Sequence, residues 1–251
     1  MHRLLTDSAS LDETHPRLGP EAARHLRVVR PKAGEVIELF DGKGAARLYR
    51  CADATTDSLE AVEPRARKSP SPARPLTLFA CLTKGSRWDW TIEKATELGV
   101  SRIVPVLSAR TIVRLDRAER PAKCARWRRI AEDAARQSSA LWIPEILEAV
   151  DFADALVLVR QTTCFVGALT SPPSPPLLQA VRDRCTALEA PALFVGPEGD
   201  FAPEELQALL ACAIPTSFGP LVLRAETAAI YGLAVLAAAR DATKSFQGEN
   251  L

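Results

Sequence analysis

A metal-binding or disulfide pattern is missing from this sequence. Its six cysteines (Cys51, Cys81, Cys124, Cys164, Cys185, Cys212) include no Cys-x-x-Cys pair, and none has a nearby histidine. That spacing argues against zinc and against a disulfide framework, and leaves free thiols as the ordinary expectation. His2, His15 and His25 all lie near the start, and no Gly-x-Ser-x-Gly elbow exists, which argues against an α/β hydrolase. Clustered metal ligands are absent too, so no metal is expected. The opening "MHRLLTDSAS" lacks the apolar core of a secretory leader. The longest uncharged apolar run, Thr227 to Ala239, falls well short of the ~20 residues of a membrane span. A formal charge of +1 gives no bulk attraction to nucleic acid or membrane. A cytoplasmic protein is expected, and any anion-binding face must come from local clustering.

At 251 residues the chain has room for one large or two modest domains. Residues 1–70 are rich in short alternating apolar segments. Asp41-Gly42-Lys43-Gly44 between two of them is a hairpin signal, because glycine supplies the positive φ such turns need. This stretch reads as a small β-domain, barrel-like. "EPRARKSPSPARP", residues 63–75, carries four prolines and four basic residues and reads as a linker. From residue 75 to 245 strands and helices alternate, which implies a parallel sheet covered on both faces. "LTLFACL", "RIVPVL", "ALVLV", "TCFVGAL" and "ALFVG" are the expected strands. Helices are expected through "WDWTIEKATELGV", with Trp90, Ile92 and Leu98 facing a core, and through "KCARWRRIAEDAARQSSA", "PLLQAVRDRCTAL", "PEELQALLACA" and "ETAAIYGLAVLAAARDA". "TSFGP" reads as a loop, and no internal repeat is present.

Three segments have the makeup of a site. In "ALFVGPEGDFAPEELQALL" a strand stops at a turn holding Gly196 and Gly199, where open α/β sheets place ligands. A plain strand-to-helix turn is the ordinary alternative. The turn meets neither the dinucleotide nor the phosphate-loop spacing, and Glu198 and Asp200 would repel a phosphate. In "FGPLVLRAETAAIYG" Arg224, Glu226 and Thr227 sit where the last helix begins. Glu226 is favourable there by helix dipole alone, which does not account for Arg224. In "TKGSRWDWTIEKATELGV" Lys84 and Arg87 flank Gly85 at a helix start. That arrangement suits a solvated helix end or a nucleic-acid phosphate.

Taken together, "HLRVVRPKAGEVIELFDGKG", "KGSRWDWTIEKATELGV", "RWRRIAEDAARQS", "IPEI", "FVGPEGDFAPEEL" and "FGPLVLRAETAAI" resemble, in order and spacing, the bacterial 16S ribosomal RNA uridine-N3 methyltransferases of the knotted SPOUT class. The resemblance runs from about residue 17 to 240. It implies an α/β protein with an N-terminal PUA-like β-barrel for RNA and a C-terminal SPOUT domain with a parallel sheet and a deep trefoil knot. It further implies S-adenosylmethionine as donor, a homodimer, and the small ribosomal subunit or its 16S ribosomal RNA as partner. A donor without phosphate, bearing a positive sulfonium, is compatible with an acidic glycine turn. By resemblance the donor residues are Leu169, Gly196, Pro197, Glu198, Gly199, Phe218, Gly219, Leu221, Leu223 and Thr227.

Uracil N3 must lose a weakly acidic proton before it attacks, and a cation beside the base oxygens favours the anion. Arg224 is the candidate, with Glu226 orienting it or helping to remove the proton; a helix-start ion pair is the alternative. Residues 110–129 hold Arg110, Arg114, Arg117, Arg120, Lys123, Arg126, Arg128 and Arg129 against Asp116 and Glu119. Such an excess favours phosphate contacts, although a solvated face has the same look. Arg24, Arg27, Arg30 and Lys32 form a second basic group, and Lys84 and Arg87 a third. The chain departs from the family pattern in four places. Asp200 replaces a glycine and Leu221 an arginine, Arg136 replaces a glutamate, and Ser139-Ala140 replaces Gly-Arg. These changes leave open a relative without catalysis or one with another RNA target.

Overall fold

The computed structural model describes all residues except 53–57, 169, 171, 185–189 and 246–251. The chain divides into two compact units, Met1–Ser71 with Glu132–Ile143, and Pro72–Ala131 with Pro144–Leu251. Among the described residues no helix is long and apolar enough to cross a membrane.

The first unit is a five-stranded sheet of β1 (Arg3–Leu5), β2 (Val36–Phe40), β3 (Ala45–Cys51), β4 (Leu59–Ala61) and β5 (Arg67–Lys68), with helix α1 (Pro20–Val29). Strands run in the order β1-β2-β3-β4, and β5 pairs with β3; only the β1–β2 pair is parallel. The segment expected to be an unstructured linker thus contributes a strand, and α1 was not foreseen. The Asp41–Gly44 turn joins β2 to β3. Gly42 and Gly44 have φ of 68° and 99°, and the Asp41 carboxylate accepts from the Lys43 and Ala45 amides at 2.8 and 2.9 Å. Leu4, Leu26, Ile37, Leu39 and Tyr49 fill the core beneath the sheet. Arg47 is buried among them, yet every carbonyl it needs is at hand. It donates to the Leu11, Glu13, Glu63 and Pro64 oxygens, so a buried charge is paired as such groups must be.

Helix α3 (Arg120–Ser138) begins in the second unit and ends in the first. Within the first unit its Ala135 packs with Phe40 and Ala46, beside Leu141 and Ile143. Arg3 reinforces this, ion-paired to Glu38 and donating to the Ala135 carbonyl at 2.7 Å.

The second unit is a seven-stranded, wholly parallel sheet. Its strands are β6 (Thr77–Cys81), β7 (Arg102–Leu107), β8 (Glu145–Ile146), β9 (Val150–Asp151), β10 (Thr163–Gly167), β11 (Pro191–Val195) and β12 (Ile214–Thr216). The order is β12-β10-β11-β6-β7-β8, with β9 on β7. Helices α2 (Ser86–Glu97), α4 (Phe152–Val159), α5 (Leu177–Arg182), α6 (Pro203–Leu210) and α7 (Ala225–Ser245) connect and cover it. Phe79 stacks on Phe194 at 5.6 Å, and Phe194 meets Phe201 edge-on at 5.5 Å. Burial on both faces explains the unbroken apolar strands.

Three expectations are corrected here. "ALVLV" is helical, the end of α4. Its buried residues, Phe152, Ala155 and Val159, recur at helical spacing, while Val157 is exposed. In α2 the core-facing tryptophan is Trp88, not Trp90, which is 41% exposed. Trp88, Thr91, Ile92 and Ala95 share one helical stripe, and Trp90 lies off it. The expected loop "TSFGP" also starts inside β12.

Burial pushes the Cys81 thiol up to about 12 and raises Cys51, Cys124 and Cys164 as well, which makes them inert. Cys185 lies outside the described residues. At Gly44 a Cβ would sit 2.5 Å from the Trp142 ring and 2.6 Å from the Ser69 carbonyl oxygen. Positive φ and this crowding together make Gly44→Ala costly, by about 2–4 kcal/mol. A urea titration should show that loss at an unchanged m-value.

Candidate functional site

The carboxyl ends of β10, β11 and β12 and the start of α7 surround a cavity of about 400 Å³. Its wall is built mostly from backbone and small side chains: Gly167 and Ala168 at the end of β10, Val195 to Glu198 and Asp200 at the end of β11, Thr216 to Arg224 from the end of β12 onward, and Ala225 and Ala228 from α7. The size falls in the range of small-molecule pockets, and the position is where parallel sheets bind ligands.

Close packing sets the wall. A Cβ on Gly167 would lie 2.6 Å from Phe218, whose ring also meets Tyr231 at 5.6 Å. Gly196 has the Phe201 ring 3.0 Å from its own Cβ position. The Thr216 hydroxyl donates to the Val166 carbonyl at 3.1 Å, and the Ala168 amide donates to the Thr216 carbonyl at 3.2 Å. Gly219, at φ 109°, donates its amide to the Ser217 hydroxyl at 3.2 Å. These bonds hold the loops after β10 and β12 side by side.

The turn after β11 is fixed from the far side by the loop after β7. Arg110 donates to the Gly199 carbonyl at 3.0 Å, and the Glu205 carboxylate accepts from the Ala109 amide at 2.8 Å and the Ala202 amide at 3.1 Å. Glu205 thereby sits at the start of α6, where the helix dipole favours an anion. Asp200 holds φ 59°, a left-handed conformation that aspartate tolerates, and its carboxylate accepts from the Phe201 amide at 2.8 Å. Ser139 has φ 61°. Both positions where a glycine was expected are therefore left-handed.

Of the expected donor residues, Gly196, Pro197, Glu198, Phe218, Gly219, Leu221 and Leu223 line the cavity, as does Arg224. Gly199, Glu226 and Thr227 are not on its wall, and Leu169 lies outside the described residues. Ser217, Ala168 and Ala228 were missed, since small residues at strand ends carry no motif of their own. Glu226 faces Arg87, with Arg87 Nε 3.9 Å from Glu226 Oε1; among the described residues no ion pair joins it to Arg224. Arg224 itself is exposed at the cavity rim.

The basic residues divide. Arg120 is ion-paired to Asp151, Arg126 forks onto Asp89, and Arg128 donates to the Ile146 carbonyl. Arg114, Lys123 and Arg129 are exposed and have no partner among the described residues. Lys84 is exposed beside Gly85, and Arg24, Arg27 and Arg30 are exposed on and just after α1, in the first unit. No group of three or more metal-ligating side chains occurs among the described residues.

Residues 69–237 match the model of the RNA methyltransferase domain, and residues 18–63 match that of the RNA methyltransferase PUA domain. A ribosomal RNA small subunit methyltransferase E from Mycobacterium bovis is 33% identical over 238 residues, covering 90% of this chain and 88% of that protein. The ribosomal RNA small subunit methyltransferase E of Neisseria gonorrhoeae, solved bound to S-adenosyl methionine, is 27% identical with a TM-score of 0.79 and 98% of each chain covered. A putative methyltransferase from Legionella pneumophila, solved with the cofactor SAM, is 27% identical with a TM-score of 0.80 over 95% of this chain and 98% of that one. Fold and matched regions define an RNA methyltransferase domain joined to a PUA domain. The chain belongs to the family of the ribosomal RNA small subunit methyltransferases E.

The left-handed turn makes a direct test of the wall's strain. Asp200→Val, β-branched at positive φ, should lose about 1–3 kcal/mol, whereas Asp200→Gly should stay within about 1 kcal/mol of the parent. Thermal denaturation of the two variants side by side decides it.

Proposed function

We propose that this protein transfers a methyl group from S-adenosylmethionine to N3 of a uridine in the 16S ribosomal RNA of the small ribosomal subunit, working in the cytoplasm. The observation that carries this is the cavity at the sheet's carboxyl edge, in a chain whose relative from Neisseria gonorrhoeae was solved with that donor. The residues present fit the donor. Glu198 and Asp200 disfavour a phosphate and suit a cation, backbone amides and carbonyls of the loop after β12 suit an adenine edge, and Phe218 and Leu223 supply apolar cover. The deep knot of the SPOUT class is part of the same proposal and is consistent with the crossed strand order β12-β10-β11-β6.

When bound, S-adenosylmethionine supplies an electrophilic methyl group. The task of this chain is then to hold the uracil in line and favour its N3 anion. Arg224, at the cavity rim, is the cation placed to stabilise charge developing on the base oxygens. Arg114, Lys123 and Arg129, free of internal partners among the described residues, are the RNA contacts of the second unit; Arg24, Arg27 and Arg30 are those of the first. The protein works as a homodimer. Ala228, Ala229 and Ala237 of α7 are buried within the chain itself, which leaves the exposed Tyr231, Ala234 and Ala238 of that helix as its contact strip.

Mass spectrometry of 16S ribosomal RNA from a strain lacking the protein should reveal a missing N3-methyluridine that the wild-type gene restores; an unchanged methylation pattern defeats the proposal. Gly167→Ala should displace Phe218 and weaken donor binding in calorimetry by tenfold or more, about 1.4 kcal/mol. Arg224→Ala should lower kcat at saturating RNA far more than it weakens RNA binding. Reversing Arg114, Lys123 and Arg129 should do the opposite. It should raise KM for RNA and flatten the salt dependence by roughly 0.7 to 0.9 units per lost contact.

A further inference from the structure

One guanidinium links three segments that are far apart in the chain. Arg87, in the first turn of α2, places Nη1 3.3 Å from Glu198 Oε1 and Nε 3.9 Å from Glu226 Oε1. Glu198 belongs to the turn after β11 and lines the cavity. Glu226 opens α7, between Ala225 and the cavity-lining Ala228. The Glu226 side chain is only 12% exposed, and its Oε2 is buried with no hydrogen-bond partner among the described residues. Without Arg87 two carboxylates would face the same space with no cation between them, one of them largely out of water.

We infer that Arg87 is a positioning residue for the donor pocket, clamping the glycine turn to the start of α7, and is not a phosphate contact. The inference rests on the reading of this cavity as the donor site. A purely local ion pair at a half-exposed arginine contributes little, but here Glu198 lines the cavity and Glu226, off its wall, lies in the same first turn of α7 as the lining residues Ala225 and Ala228. Holding both fixes the width between the turn and the helix before any ligand enters, which lowers the ordering cost of binding. Surrendering Arg87 to an RNA phosphate would leave the Glu226 carboxylate buried beside no cation. The expectation that Arg87 serves RNA is therefore the less favourable use of the same side chain.

The test compares Arg87→Ala and Arg87→Lys with the parent in the full chain. Hydrogen exchange in the ligand-free protein should speed up at residues 196–200 in Arg87→Ala and be partly restored in Arg87→Lys, which keeps the charge but loses the fork. Calorimetry with S-adenosylmethionine should show affinity reduced by about tenfold in Arg87→Ala. In turnover assays KM for the donor should rise more than kcat falls, and the salt slope of RNA binding should stay unchanged. Arg87→Ala combined with Glu226→Gln should be less than additive in donor affinity, because both remove one interaction. Unchanged exchange at the turn overturns the clamp, whatever the ligand. A parent protein that binds no S-adenosylmethionine overturns the donor reading, and the pocket-positioning role with it, even where exchange shows the clamp. Unchanged donor affinity with a salt slope reduced by about one unit makes Arg87 a phosphate contact after all.

Discussion

Strands β10, β11 and β6 run parallel, with Val166 beside Phe194 and Phe194 beside Phe79. A parallel strand covered on both faces cannot turn back directly. It must hand its chain to a crossover and begin again at the opposite edge, so every strand delivers its following loop to one side. The candidate site is the sum of those loops. The cavity wall draws on the segments after β10, β11 and β12, and the loops after β6 and β7 buttress the glycine turn through Arg87 and Arg110. Residues at positions 87, 110, 167, 198 and 226 thus act on one small region without any local sequence relation.

The chemistry of that region follows from what the loops are made of. Gly167 and Gly196 are required by the rings packed against them, not by their own dihedral angles. Phe218 and Phe201 occupy the space where their side chains would be, so the backbone itself becomes the surface a ligand meets. Carboxylates then decide the sign of the ligand. Glu198 is shared with Arg87, while Asp200 points its carboxylate back to the Phe201 amide. The resulting wall suits a cationic, hydrogen-bonding molecule better than a phosphate.

Much of the scaffold was legible in the sequence. The Asp41–Gly44 hairpin and the turn at Gly196–Gly199 both carry turn chemistry that local residues decide. The cavity-lining stretch Phe218 to Arg224 was legible through its resemblance to a family. What was not legible depends on burial or on partners distant in the chain. "ALVLV" has the composition of a strand and folds as a helix, because Phe152, Ala155 and Val159 bury one face only. Trp88 and Trp90 are both plausible core residues until the phase of α2 is known. The run of arginines from 110 to 129 gives no sign that Arg120, Arg126 and Arg128 are already engaged by Asp151, Asp89 and Ile146. Charge counts see composition; pairing is a property of the fold.

Helix α3 starts in one unit and finishes in the other, and the first unit includes Glu132–Ile143. During synthesis the N-terminal sheet will therefore have left the ribosome, with Phe40 and Ala46 still lacking Ala135, while the next sixty residues of the second unit are being made. The Trp142 ring that closes over Gly44 arrives later still. N-terminal units usually complete first, but this one must wait for a piece encoded beyond β7. Cutting the gene at the boundary near residue 71 consequently gives an N-terminal product with an open apolar face, a candidate for chaperone capture and not an independent RNA-binding module.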